Sequence, residues 1–154
     1  MDVTAVSIRA AEPEEAPILT DIAIRAKASH GYDEAFMESR QDELTVRRDY
    51  VAEEAVFVVD EHGSIAGFYA MRARPPRADL DFLFIEPVAH GKGYGRRLWD
   101  HAVAEARALH CTELFLESDP FAEPFYLALG AERVGDVPSG AIPGRTLTPL
   151  RAHL

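Results

Sequence analysis

The spacing of apolar and polar positions predicts strands alternating with helices. Val6 and Ile8, within the weak alternation of Thr4 to Arg9, predict a first strand. Glu12-Pro13-Glu14-Glu15 supplies an acidic, proline-bearing first turn. Ile18, Leu19, Ile22 and Ile24 to Ala26 then continue the apolar face of a helix to about Ala28. Ser29 to Asp33 interrupts that face, and Asp33 is placed to cap a second helix through Phe36 and Met37, with its end toward Leu44 undefined. The compact run Ala55 to Asp60, the turn His62-Gly63 and the run Ile65 to Met71 read as a β-hairpin.

From Arg72 to Arg77 the sequence predicts a rigid, basic connection. In the next strand, Leu80, Phe82 and Phe84 point one way, whereas Asp79, Asp81, Leu83 and Ile85 point the other, and Pro87 ends it. The segment His90-Gly91-Lys92-Gly93-Tyr94-Gly95 follows, and then a helix from near Arg96 with Leu98, Ala102 and Ala106 on one stripe beside Trp99 and Val103. Thr112 to Leu116 is a further strand. Pro120 and Pro124 bracket a short helix through Phe125, Tyr126 and Leu129, which Gly130 is placed to end. Two short strands, near Ala131 to Val134 and Thr146 to Leu150, flank the loop Gly135 to Gly144. No repeat or linker divides residues 1–154, so a single domain is expected.

Composition narrows the function. A formal net charge of −10 argues against nonspecific nucleic-acid binding, which depends on basic surface. No apolar run reaches the ~20 residues that span a bilayer, and Met1 to Thr4 lacks the basic start of a signal peptide. A single cysteine, Cys111, fits a reducing cytoplasm and reads as a buried structural residue. His62, His101 and His110 show no metal-ligand spacing.

The stretch from Leu80 to Ala106 is the candidate site. A strand that breaks into glycines before a helix turns backbone N–H groups toward an anion, and the helix start adds unpaired donors. A Walker-type loop would need Ser or Thr directly after Lys92, where Gly93 stands. In a dinucleotide fingerprint Gly91 and Gly93 fit and Glu117 lies where a ribose-binding acid would sit. However, Arg96 occupies the third glycine position, and only one βαβ unit is apparent.

His90-x-x-Gly93-x-Gly95 resembles the Arg/Gln-x-x-Gly-x-Gly/Ala acyl-CoA signature of the GNAT (Gcn5-related N-acetyltransferase) superfamily, with His90 in place of Gln or Arg. Asp119 to Tyr126, followed by Leu129-Gly130-Ala131, is similar to the superfamily's Asn-x-x-Ala-x-x-x-Tyr and Leu-Gly-Phe segment. Asp119 and Ala131 are departures from it. The resemblance implies an α/β (α+β type) fold: a central mixed, mostly antiparallel sheet, splayed at strands 4 and 5, with helices on both faces. It also implies acetyl-CoA bound where the strands ending near Ile85 and Ser118 part. Phe84 and Ile85 would pair with pantetheine, while His90, Gly91, Lys92, Gly93, Tyr94, Gly95 and Arg96, with Asp119, would serve the rest of the CoA site. Arg97 can add charge.

By the same resemblance Tyr126 hydrogen-bonds or protonates the departing thiolate, and Asp79 or Asp81 is the base, with Glu86 and Glu34 as further candidates. His30, Tyr32 and Glu34 would line the acceptor pocket, and the loop Val137 to Arg145 would select the acceptor. The expected partner is an amine of a small molecule or peptide, with no nucleic acid, membrane or metal, and with monomer and homodimer both open. The rival readings are transfer of a longer acyl group, transfer to another nucleophile, and a CoA-binding sensor without catalysis.

Overall fold

The computed structural model describes residues 6–134 and 147–154. Strands are β1 (Val6–Ala10), β2 (Ala55–Glu61), β3 (Ser64–Arg74), β4 (Arg77–Ile85), β5 (Glu113–Ser118), β6 (Glu132–Arg133) and β7 (Thr148–His153). Helices are α1 (Ala16–Ala28), α2 (Glu34–Ser39), α3 (Gln41–Leu44), α4 (Arg48–Glu53), α5 (Tyr94–Ala108) and α6 (Glu123–Ala128). The strands are hydrogen-bonded in the order β1-β2-β3-β4-β5-β7-β6. This is the expected mixed sheet, in which β4 and β5 pair parallel. The chain packs as two compact units, Met1–Met71 with Phe82–Ala102, and Arg72–Asp81 with Val103–Leu154. Strands β3 and β4 and helix α5 each contribute to both.

In the first unit, β2 pairs antiparallel with both β1 and β3. Strand alternation sends Val56, Val58, Phe68 and Ala70 to one face, where they share a core with Ala16, Leu19, Ile22 and Ala23 of α1. At 13 residues α1 is near the length at which an isolated helix is marginal. Burying Leu19, Ile22 and their neighbours, at ~1.5–3 kcal/mol per large side chain, therefore decides its stability. Ile18 corrects the expected stripe: one residue from Leu19 is a rotation of about 100°, and Ile18 is exposed. On the other face of the sheet, Phe57 and Tyr69 stack with ring centroids 5.5 Å apart, and His101 of α5 lies 4.5 Å and 5.7 Å from them. The Tyr69 hydroxyl and His101 Nδ1 share a 2.7 Å hydrogen bond. Helices thus cover both faces of this part of the sheet.

The second unit is built on β5. It pairs parallel with β4 from Arg77↔Glu113 to Leu80↔Leu116, and antiparallel with β7 along its whole length. The pairs Leu114↔Ala152 and Leu116↔Leu150 put four buried side chains on one face. After α5 the backbone turns through His110 at φ +69°, and the Cys111 N–H donates to the Ala106 carbonyl at 2.9 Å, a Schellman-type ending. Cys111 is buried, and burial pushes its thiol up, as suits a structural rather than a reactive cysteine.

Several boundaries differ from the sequence expectation. Arg72 to Arg74 belong to β3 and Arg77 opens β4, so the connection shrinks to Pro75-Pro76, with a cis peptide bond. The Arg72 guanidinium bridges to Asp81 at 2.6 and 2.9 Å, which lets strongly basic residues stand in strand. The second helix stops at Ser39, α3 is separate, and α4 was not expected; only Val51 of α4 is buried, too little for a periodic signal. Helix α5 begins at Tyr94, not Arg96, and Pro124 lies in the first turn of α6, where its missing N–H costs nothing. The expected specificity loop Val137 to Arg145 lies outside the described residues.

Candidate functional site

The glycine loop leaves the 3-10 turn Pro87–Ala89 and enters α5. Gly91 has φ +86° and Gly93 φ +79°, in the left-handed region. A Cβ built on either would touch nothing within 4 Å, so the glycines are needed for their dihedrals rather than for space. His90, Gly91, Lys92 and Gly93 are exposed, as are Arg96 and Arg97 on the first turn of α5; Gly95 is half-buried and Tyr94 is buried. The Arg97 N–H donates to the Gly93 carbonyl at 3.2 Å, starting the helix, and Arg96 Nε lies 3.8 Å from Asp100. Exposed glycines, a helix start and three basic side chains have the chemistry that suits an anion.

Glu61, at the end of β2, joins this site unannounced by the sequence. Its Oε2 accepts from Lys92 Nζ at 2.8 Å and from the Tyr94 hydroxyl. Lys92 first, then Tyr94, hold the Glu61 carboxyl below the usual carboxylate range, and Glu61 holds the Lys92 ammonium and the Tyr94 phenol above theirs. The signal that points to it is alternation: Phe57, Val59 and Glu61 share the α5 face of β2.

At the end of β4, Phe84 and Ile85 are half-buried and close to β3. A Cβ on Gly67 would fall 2.9 Å from the Phe84 carbonyl oxygen and 2.7 Å from Ile85 Cδ1, so only glycine allows this approach. The Glu86 N–H donates to the Ala66 carbonyl at 2.8 Å, and the Glu86 carboxylate is bridged by Arg25 at 2.6 and 2.9 Å. The ladder with β5 stops at Leu80, while β4 continues to Ile85.

His30 and Tyr32 stand together, ring centroids 6.4 Å apart and edge to face. Tyr32 stacks on Phe36 at 4.2 Å, buried Lys27 places its Nζ 5.1 Å from the Tyr32 centroid, and Arg40 lies over Phe36. The sequence indicated His30 and Tyr32 but not Lys27, whose burial shows only once α1 and α2 are folded together. Glu34 is exposed in the first turn of α2, behind the Asp33 cap, whose Oδ1 accepts from the Phe36 N–H at 2.8 Å.

The remaining candidates belong to the second unit. Arg77 Nε and Nη2 both donate to Asp79 Oδ1, at 3.0 and 2.8 Å, while Arg72 engages both oxygens of Asp81. Asp119 ends the β5 run with an Asx turn, its Oδ1 accepting from the Phe121 N–H at 2.8 Å and its carbonyl from the Ala122 and Glu123 N–H groups. That turn launches α6. Tyr126 is buried on α6, edge to face with Phe125 at 5.1 Å, and burial pushes its phenol well above the ordinary tyrosine range. Among the described residues no three of His, Cys, Asp and Glu gather as a metal site, and no helix is long and apolar enough to cross a membrane.

A family profile described as an acetyltransferase (GNAT) domain matches residues 12–142. The chain is 28% identical to the 5-NmdU N-acetyltransferase of Pseudomonas phage PaMx11 over 131 residues, 84% of this chain and 89% of that one. Among solved structures, the PaiA N-acetyltransferase of Thermoplasma acidophilum, in complex with coenzyme A, superposes with a TM-score of 0.82. The match covers 98% of this chain and all of that one, at 16% identity. A GCN5-related N-acetyltransferase from Rhodopseudomonas palustris gives 0.78 at 20% identity, covering 100% and 99%. At these identities the structural matches speak for the fold.

Proposed function

The chain belongs to the GNAT acetyltransferase family, and we propose that it transfers an acetyl group from acetyl-CoA directly to an amine of a small molecule or peptide. The observation that carries this reading is the loop itself: two left-handed glycines bracketing Lys92, exposed at the start of a 15-residue helix. The residues fit the ligand. Main-chain N–H groups of Gly91 to Gly95 receive the pyrophosphate, and Lys92, Arg96 and Arg97 add positive charge in an otherwise acidic protein, each interaction at the helix end worth ~0.3–1 kcal/mol. Phe84 and Ile85, beyond the last rung of the β4-β5 ladder, offer backbone groups to the pantetheine amides, as a peptide adds to a sheet edge.

The thioester supplies the activated acetyl group: a C–N bond forms, a C–S bond breaks, and one amine proton must leave. An amine like that of lysine, pKa ~10.4, costs about 4.6 kcal/mol to deprotonate at pH 7, at ~1.36 kcal/mol per pH unit. We assign that proton to Asp79, directly or through water; both Arg77 bonds fall on Oδ1 and neither uses Oδ2, which supports the assignment. Asp81, bridged on both oxygens, holds Arg72 instead.

Tyr126 acts as hydrogen-bond donor to the departing thiolate. Complete transfer from an ordinary phenol of pKa ~10 to a thiolate of pKa ~8.5 is already uphill by about 2 kcal/mol. The raised Tyr126 phenol makes it steeper. The hydroxyl therefore stabilises developing charge, and solvent completes the thiol. Asp119 serves this group by setting the turn into α6. His30 and Tyr32, with Glu34 at the α2 start, face the acceptor. A cytoplasmic location is part of this reading, and a lone buried cysteine supports it.

A CoA-release assay over a panel of amines, alongside calorimetry with CoA, tests this reading. Turnover with at least one amine class is expected. Tight CoA binding with no turnover on any amine would replace the enzyme with a sensor, and absence of CoA binding would remove the reading entirely.

A further inference from the structure

We propose that Glu61 is a positioning residue for the glycine loop: its carboxylate, reaching from β2, tethers the side chains on either side of Gly93 and holds the loop's N–H groups in the arrangement that receives the pyrophosphate. The role in binding rests on the CoA reading above, whereas the tether itself does not.

Backbone hydrogen bonds hold the loop at its ends, and burial holds Tyr94. At its ends the His90 N–H donates to the Pro87 carbonyl at 3.3 Å and the Arg97 N–H to the Gly93 carbonyl at 3.2 Å. Between them stand three glycines, of which Gly91 and Gly93 have no atom within 4 Å of a Cβ position, and glycine surrenders more backbone freedom on ordering than any other residue. Lys92 and Tyr94, the side chains flanking Gly93, both end on the same oxygen of Glu61.

The anchor lies in the sheet. Glu61 is paired to Val6 on one side and, past a register shift at Val59/Asp60, to Ser64 on the other. Alternation places Phe57, Val59 and Glu61 on the α5 face, where Phe57 meets His101. From His101 back to Tyr94 is two helical turns, about 11 Å. From Phe57 to Glu61 is four strand residues, about 13 Å. The matched lengths carry α5 along β2 so that its first residue arrives at Glu61. The charges of the tether persist through neutral pH, since Glu61 is held more acidic, and Lys92 and Tyr94 less so, than usual.

A carboxylate beside an anion site also has the opposite capacity, to repel the phosphates and to occupy Lys92. Substitution separates the two. If Glu61 positions the loop, Glu61→Ala raises KM for acetyl-CoA about tenfold, equivalent to about 1.4 kcal/mol, with kcat within about twofold. Glu61→Gln, which keeps an acceptor for both partners, recovers most of the loss. A KM that is unchanged or lower in Glu61→Ala overturns the proposal and makes Glu61 a competitor.

Amide hydrogen exchange of Gly91 to Gly95 in ligand-free protein reads the tether without CoA: Glu61→Ala speeds it by about tenfold, and unchanged exchange overturns the tether even where CoA binds normally. Wild-type protein that fails to bind CoA, yet shows the faster exchange in the variant, removes the CoA reading and leaves the tether standing. Should Glu61→Ala not fold, Tyr94→Phe removes one arm and carries the same measurements, with a smaller rise in exchange expected and none overturning the proposal.

Discussion

The glycine loop and the Tyr126 segment are held in place by different means. The loop is exposed at His90 to Gly93, its shape comes from two positive backbone dihedrals, and its side-chain support is the contact of Lys92 and Tyr94 with Glu61 and the burial of Tyr94. Tyr126 is buried on a six-residue helix fixed at both ends. The Asp119 turn precedes α6, and the Glu123 carboxylate of its first turn is bridged by Arg133 of β6 at 2.6 and 3.2 Å. After α6, the Ala131 N–H donates back to the Tyr126 carbonyl at 3.1 Å. A site made of backbone donors tolerates side-chain change so long as its dihedrals survive. A site made of one hydroxyl has no such redundancy. Mutations should therefore split by region: binding falls with the loop's backbone, turnover with a single side chain.

The largest effect is expected at Tyr126. Loss of one donor to a developing anion costs on the order of 10²-fold in kcat, so Tyr126→Phe lowers turnover by about that factor while KM for acetyl-CoA stays within about twofold. Burial keeps the wild-type phenol protonated well past its usual range. Any basic limb of the kcat profile between about pH 7 and pH 10 thus belongs to another group, and it persists in Tyr126→Phe. Steady-state kinetics across pH measures both. A variant with unimpaired kcat, or one in which the basic limb disappears, removes the assigned role.

Gly93 comes next, on the opposite parameter. With φ at +79° and open space around the Cβ position, Gly93→Ala meets no clash and pays only in backbone strain. At ~1–2 kcal/mol for a left-handed non-glycine residue, KM for acetyl-CoA rises roughly 5- to 30-fold, with kcat changed far less. Isothermal titration with CoA checks the affinity directly. If kcat fell as far as KM rose, the loop would not be a separate binding element and the contrast between the two regions would fail.

The loop was legible in the sequence because its chemistry is local: glycine spacing and a following helix suffice to announce it. Tyr126 was legible as a short motif, but its burial and raised phenol were not, since both come from packing within its unit. The strand alternation of β4 was also legible, since its faces differ sharply in polarity. Glu61 was hidden for a different reason. Alternation gives only its face of β2, and its partners Lys92 and Tyr94 come from a segment about thirty residues further on. The same holds for Arg72 and Asp81, whose pairing turns an apparently basic connection into the end of one strand facing the middle of another. Lys27 reads as an ordinary helix-end cation until Tyr32 and Phe36 fold over it.

The smallest effect is expected at His90, the loop's most visible departure from the GNAT signature. Its side chain is exposed, its backbone N–H closes the preceding turn on Pro87, and the donors proposed for the pyrophosphate belong to the residues after it. His90→Gln restores the more common residue type without touching Gly91, Gly93 or the Glu61 contacts. CoA affinity should then change by less than about twofold, within ~0.4 kcal/mol, at pH 6 as well as at pH 8. A clear gain at pH 8 would mean that the edge side chain reaches the ligand. A clear loss would mean that the imidazole makes a contact that glutamine fails to replace. Either result would move part of the binding from backbone to side chain and narrow the difference between the two regions.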